Sequence, residues 1–397
     1  MNRSNRILSI DIFRGLIIFL MVFVNDLAGV SDIPAWMKHV PADFDGMTFV
    51  DVVFPAFLFI VGMAVPFAVN NRLERNPDLF SFWKHVLVRT AGLLILGVYM
   101  VNSAEMNRDA NLIPHWLWAG SLYIAVVLIW NRYPEVDDSG KRRKYAVLRT
   151  AGFLTLAALY FLYRKGLDDV LTGMTPSWWG ILGLIGWAYL VAMVFYMIAG
   201  GRVAMFGFLS VLFAALFILL RWEGAGELTW LGWLKGQTGH MSHSTLVMAG
   251  IFSSMILSNG GVREAAYRKM ALLALFAVAA ALVAFAVRPV TGGVSKIGAT
   301  PAWTFYCISI CIGVYLLVYW LVDLLGKRTW AAFLKPAGQN PLLTYILPPF
   351  YYALAGFSLW PAYLNAGMPG FFRSVVFSLL ILWVAGLLTK RGVKLHL

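Results

Sequence analysis

The chain has 397 residues, 60% of them hydrophobic and only 13% charged, with a mean hydropathy of +0.74. A soluble domain carries roughly 25% charged residues, so this composition excludes an ordinary soluble enzyme and points to an all-α, polytopic membrane helix bundle. The net charge of +13 then reads as a topology signal rather than a nucleic-acid footprint, and no nucleic-acid partner is expected.

Apolar spans are predicted near residues 7 to 27, 51 to 69, 86 to 102, 112 to 130, 145 to 163, 178 to 199, 203 to 220, 244 to 258, 270 to 288, 303 to 325, 340 to 358 and 370 to 389. Each approaches the ~20 residues a bilayer requires, but the third, eighth and eleventh are short or interrupted, which sets the expectation at about 11–12 transmembrane helices. One domain over residues 1–397 is expected. The first span reads as a retained helix, because no small-residue cleavage site follows Val24.

A cytoplasmic N-terminus collects Arg3, Arg6, Arg72, Arg75, Lys141 to Lys144, Lys327, Arg328, Lys390 and Arg391 on the inner side. It leaves Lys38, Arg108, Arg164, Lys165, Arg221, Lys235, Arg288 and Lys296 outside, and the larger number of basic residues inside favours that orientation by the positive-inside rule. His39 therefore faces outward. The run Lys141, Arg142, Arg143, Lys144 reads as a cytoplasmic turn beside anionic membrane lipid. W-L-G-W-L, Trp230 to Leu234, reads as an interfacial aromatic belt. Cys307 and Cys311, four apart in one apolar run, read as packing residues. His240 and His243 lie three apart in a predicted outer loop without nearby carboxylate or thiolate ligands, so no metal is expected there.

The chemistry concentrates between Ser9 and Val65. Asp11, Arg14, Met21 and Asn25 share one face of the first helix. Charged groups at membrane depth are costly unless paired or facing an aqueous cavity, so this stripe is expected to form a buried polar track towards His39. An imidazole works as a proton acceptor near neutral pH. Thr48 and Asp51 fit the pattern that caps a helix start, and capping leaves Asp51 able to orient His39 as well.

The ordered block S-I-D-I-F-R-G, M-V-F-V-N, K-H and G-M-T-F-V-D-V-V-F-P-A-F-L-F-I-V-G resembles the transmembrane heparan-alpha-glucosaminide N-acetyltransferase family and its bacterial relatives. A second block, S-K-I-G-A-T-P-A-W from Ser295 and L-K-P-A-G-Q-N-P-L-L-T-Y from Leu334, is similar to bacterial members; together the motifs cover about a quarter of the chain. The resemblance implies a single transmembrane acyltransferase bundle that moves acetyl from acetyl-CoA to the amine of a terminal glucosamine across a membrane. It also implies catalytic roles for His39, Asn25 and Asp51. The loop between Asn25 and His39 is longer here, and Phe44 and Asp45 stand where the lysosomal enzyme has Trp and Asn, which bears on the acceptor.

Such a reaction needs a base for the acceptor ammonium, and His39 held by Asp51 suits that role. The Asn25 amide is a candidate oxyanion donor, and an acetyl-histidine intermediate is the competing scheme. CoA phosphates need cations and donors; the candidates are Arg14, which equally pairs with Asp11, together with Lys296 and Asn340. The rival reading is a secondary transporter or a carrier of a glycan- or lipid-linked substrate. A bacterial inner-membrane location and a possible homodimer complete the expectations.

Overall fold

Every predicted span falls on a helix, and most of the helices run past the apolar windows that mark them. The computed structural model describes residues 7–166, 170–223, 232–258, 263–355 and 360–396. Among these the helices are α1 (Leu8–Leu27), α2 (Val50–Arg75), α3 (Leu79–Ala104), α4 (His115–Trp130), α5 (Ser139–Leu162), α6 (Ile181–Ala199) and α7 (Val203–Arg221). They continue as α8 (Gly232–Lys235), α9 (Thr238–Ser258), α10 (Arg263–Val287), α11 (Pro301–Tyr319), α12 (Lys335–Gln339), α13 (Pro341–Ala355) and α14 (Gly367–Lys390). Ten of the described helices are long and apolar enough to cross a bilayer, and α4, at 16 residues, is apolar but shorter. The protein is an integral membrane protein built as a polytopic helical bundle. Of the sequence signals, Arg3, Arg6, Trp230, Leu231 and residues 356–358 lie outside the described residues.

Polar caps explain the added length. At α3, Asp78 accepts from the backbone N–H groups of Phe80 at 3.2 Å and Ser81 at 2.9 Å, satisfying donors that helix starts leave unpaired. At α5, Asp138 accepts from Gly140 and Lys141 N–H at 2.8 and 3.2 Å. The basic run Lys141 to Lys144 is therefore the opening of α5 and not a turn as expected. α9 likewise starts at Thr238, so His240 and His243 sit on a helix rather than in a loop. Its Ser and Thr hydroxyls donate to carbonyls four residues back, as Ser244 does to His240 and Thr245 to Met241. That pairing lets a polar sequence run as a buried helix.

The chain forms two compact units. The first comprises Met1–Ile17, Ile33–Thr90 and Ile185–Ala332. There α2 and α9 approach backbone to backbone: a Cβ at Gly62 would lie 2.0 Å from the Val247 carbonyl oxygen, and one at Gly250 would lie 2.0 Å from that of Phe59. Small residues give membrane helices this close approach. The start of α1 is capped from far along the chain. Asp323, in a π-helical turn after α11, accepts from Leu8 and Ser9 N–H at 3.1 Å each. The second unit comprises Ile18–Asp32, Ala91–Leu184 and Phe333–Leu397. In it α4 packs on α5 and α13, and the C-terminal segment is tied down where Lys394 N–H donates to Asn131 Oδ1 at 2.8 Å.

Candidate active site at the start of α2

The site begins with one carboxylate that does two jobs. Asp51 Oδ2 accepts from Thr48 N–H at 3.0 Å, the returning half of a capping box, while the Thr48 hydroxyl donates to the Lys38 carbonyl at 2.8 Å and holds the preceding loop. Oδ1 lies 2.6 Å from His39 Nδ1. The Asp51 side chain is 1% exposed and the His39 side chain 42%. With Nδ1–H donating to Asp51, the imidazole is fixed in one tautomer and offers Nε2 for proton transfer.

A third group joins from a distant loop. Lys296 Nζ lies 3.1 Å from His39 Nδ1, 3.2 Å from Nε2 and 3.9 Å from Asp51 Oδ1. Burial pushes its ammonium below the ordinary lysine value of 10.5, and the Asp51 charge offsets part of that. Its place in the second motif block made Lys296 a candidate CoA ligand; the structure sets it beside the histidine, 257 positions away in the chain.

The Lys296 loop is held by Asp45, one of the two positions at which the motif differs from the family it resembles. Its carboxylate accepts from Val294 N–H at 2.6 Å and from Arg288 Nε at 3.0 Å. Those two donors hold Asp45 below its ordinary value of 3.8. Gly46 N–H donates to the Val294 carbonyl at 3.0 Å and Ser295 Oγ to that of Ala42 at 3.2 Å. Gly293, at φ +69, has to be glycine: a Cβ there would stand 2.8 Å from Asp45 Oδ1.

The other predicted residues are placed differently. Arg14 pairs with Asp11 at 3.6 Å, each side chain 26% exposed. Met21 is buried but Asn25 is exposed and belongs to the second unit, so the stripe on α1 is not the buried polar track expected. The buried charge of α1 is Asp26, one position round the helix. Its Oδ2 accepts from Arg373 Nη2 at 2.8 Å, its Oδ1 accepts from the Tyr352 hydroxyl, and Arg373 Nη1 donates to Asn365. Both charged side chains are at most 2% exposed. A lone arginine inside the last apolar span signals a carboxylate partner, a signal from which Arg373, unread in the sequence, could have been found. Asn340 is 1% exposed; its Nδ2 donates to Thr389 Oγ1 at 3.0 Å and the Val393 carbonyl at 2.9 Å, so both amide hydrogens tie the C-terminal segment. Cys307 and Cys311 are free and buried.

A carboxylate-oriented histidine with an adjacent lysine, set where a membrane-spanning helix begins, defines an integral membrane protein equipped for proton transfer. The chain belongs to the family described as a domain of unknown function (DUF5009), whose profile matches residues 6–229. It is also similar to heparan-alpha-glucosaminide N-acetyltransferase of Homo sapiens, 36% identical over 97 residues, and to that of Mus musculus, 35% identical over 99 residues. These matches take in 24% and 25% of this chain and 14% of each relative.

Proposed function

We propose that the protein is a transmembrane acetyltransferase that moves acetyl from cytoplasmic acetyl-CoA to the amine of an amino sugar at the outer face of a bacterial inner membrane. The observation that carries this reading is the 2.6 Å contact between His39 Nδ1 and the buried Asp51 carboxylate. It leaves Nε2 of a half-exposed imidazole as the general base towards an ammonium acceptor, or as the atom that carries acetyl in transit. The local identity to N-acetyltransferases supports the same chemistry.

In the direct route, the acceptor amine gives its proton to Nε2 as its nitrogen attacks the thioester carbon. Asp51, its charge already balanced by Lys296 and the Thr48 N–H, stabilises the imidazolium that forms. Asn25 as oxyanion donor, and Arg14 as phosphate ligand, belong to this proposal on the strength of the sequence resemblance alone.

The test is transfer of labelled acetyl from acetyl-CoA to glucosamine by the purified protein in detergent, with His39→Ala alongside. Turnover lost in the variant, with its melting temperature unchanged, supports the assignment; turnover retained in the variant sinks it. A wild-type protein that neither turns over nor is stabilised by acetyl-CoA belongs to the carrier class instead.

A further inference from the structure

Lys296 is placed oddly for a phosphate ligand. Its ammonium is committed to the imidazole and the Asp51 carboxylate, and its backbone is fixed by the Asp45 clasp rather than left free to sweep. Nδ1 is already bonded to Asp51, and the near-equal distances of Nζ from Nδ1 and Nε2, 3.1 and 3.2 Å, set the ammonium over the ring between the two nitrogens, a turn of its stem away from the lone pair of Nε2, the atom that must take the acceptor's proton. From there it leaves the Nε2 lone pair open to the acceptor, and lysine has three donors on a flexible stem with which to turn towards that nitrogen or away from it.

We propose, building on the acetyltransferase reading, that Lys296 is a second catalytic residue: its Nζ protonates the sulfur of the departing thiol and is recharged with the proton that His39 took from the acceptor amine. Starting from the acceptor as a neutral amine, its ammonium proton already lost to solvent, the step balances without a further proton leaving the site. The amine nitrogen forms its bond to the acetyl carbon and its proton passes to Nε2. The carbon–sulfur bond breaks, the sulfur takes a proton from Lys296, and the imidazolium returns one to the neutral Nζ, which starts 3.2 Å from Nε2 and turns into line with its N–H. The products are the acetylated amine and free thiol, with His39 and Lys296 restored. Burial of Lys296 makes its proton easier to give up than that of an exposed lysine. Arginine in its place keeps the charge but cannot shuttle a proton.

The experiment compares acetyl-CoA with S-acetyl-4-nitrothiophenol, whose thiol leaves as a stable anion and needs no acid. Lys296→Met and Lys296→Arg are expected to slow transfer from acetyl-CoA by roughly 10²-fold or more and transfer from the aryl thioester by less than about tenfold. Equal losses with both donors, or full activity in Lys296→Arg, overturn the relay and leave the acetyltransferase reading standing. His39→Ala is expected to be inactive with both donors. If the wild type rejects the aryl thioester, methylammonium added to Lys296→Met decides: restored turnover from acetyl-CoA supports the relay and no restoration overturns it. A wild type that transfers from neither donor removes the reading and the relay with it.

Discussion

Two carboxylates on helices consecutive in the chain, Asp51 and Asp26, each face a cation, yet the two sites are built for opposite purposes. Asp26 and Arg373 are both at least 98% buried and both oxygens of Asp26 are bonded, Tyr352 on one and Arg373 on the other. Asp51 is equally buried, but its partner His39 is 42% exposed and carries a second ring nitrogen, 3.2 Å from the Lys296 ammonium, that is not bonded to the carboxylate. A closed pair stores its charge in the fold, whereas an open one can lend a proton. Burial of the acid alone does not separate the two; exposure of its partner does.

The largest effect that sharpens this contrast is on turnover. Asp51→Asn removes the charge that orients His39 and is expected to cost roughly 10²–10⁴-fold in acetyl transfer, the range a positioned base supplies. An Asp51→Asn protein with wild-type kcat would erase the distinction. Next comes stability. Arg373→Ala leaves an uncompensated charge at Asp26 and is expected to lower unfolding stability by about 3–5 kcal/mol, whereas Asp26→Asn with Arg373→Met restores most of it. Thermal melts in detergent read both, and a double variant no better than the single would show that the pair is not a closed charge balance.

How much of this was legible in the sequence differs between the two sites for a physical reason. The His39 and Asp51 pair lies 12 positions apart inside one ordered motif, so local spacing conveys it. Asp26 and Arg373 are 347 positions apart, and nothing local links them. Asn25 drew attention as the polar residue closing α1, while its neighbour Asp26 carried the buried contact. Lys296 was visible as a basic residue in a motif, but its partner was not, because a loop's reach depends on its clasp. The helices themselves were legible from hydropathy in their middles and illegible at their ends. Asp78 and Asp138 extend α3 and α5 into polar sequence by hydrogen bonds that no apolar average registers.

Two smaller effects refine the comparison within each unit. Asn340→Ala strips the buried tether of Val393 and Thr389 and is expected to cost about 1–3 kcal/mol, with no change in the pH profile of transfer. A shifted profile would place Asn340 in the chemistry instead. The smallest is the Asp45 clasp, which answers to acid. Asp45 is held below 3.8, so its contribution to stability is complete above that value and is lost as pH falls through the lower, folded value. Hydrogen exchange at the Val294 amide, followed from pH about 5 to about 2 and corrected by an Asp45→Asn control, is expected to lose protection only in the native protein. Protection that survives to the lowest pH would show that the Gly46 and Ser295 bonds hold the loop unaided.

The cap that Asp323 places on α1 has a consequence in time. Leu8 and Ser9 leave the ribosome 315 and 314 residues ahead of the carboxylate that receives their N–H groups, an interval of about 15–60 s at ordinary rates of synthesis. Throughout that interval the leading end of the first helix must find other acceptors, from water, lipid headgroups or the insertion machinery. Completion of α11 and its π turn is thus the event in biogenesis that finishes the first helix.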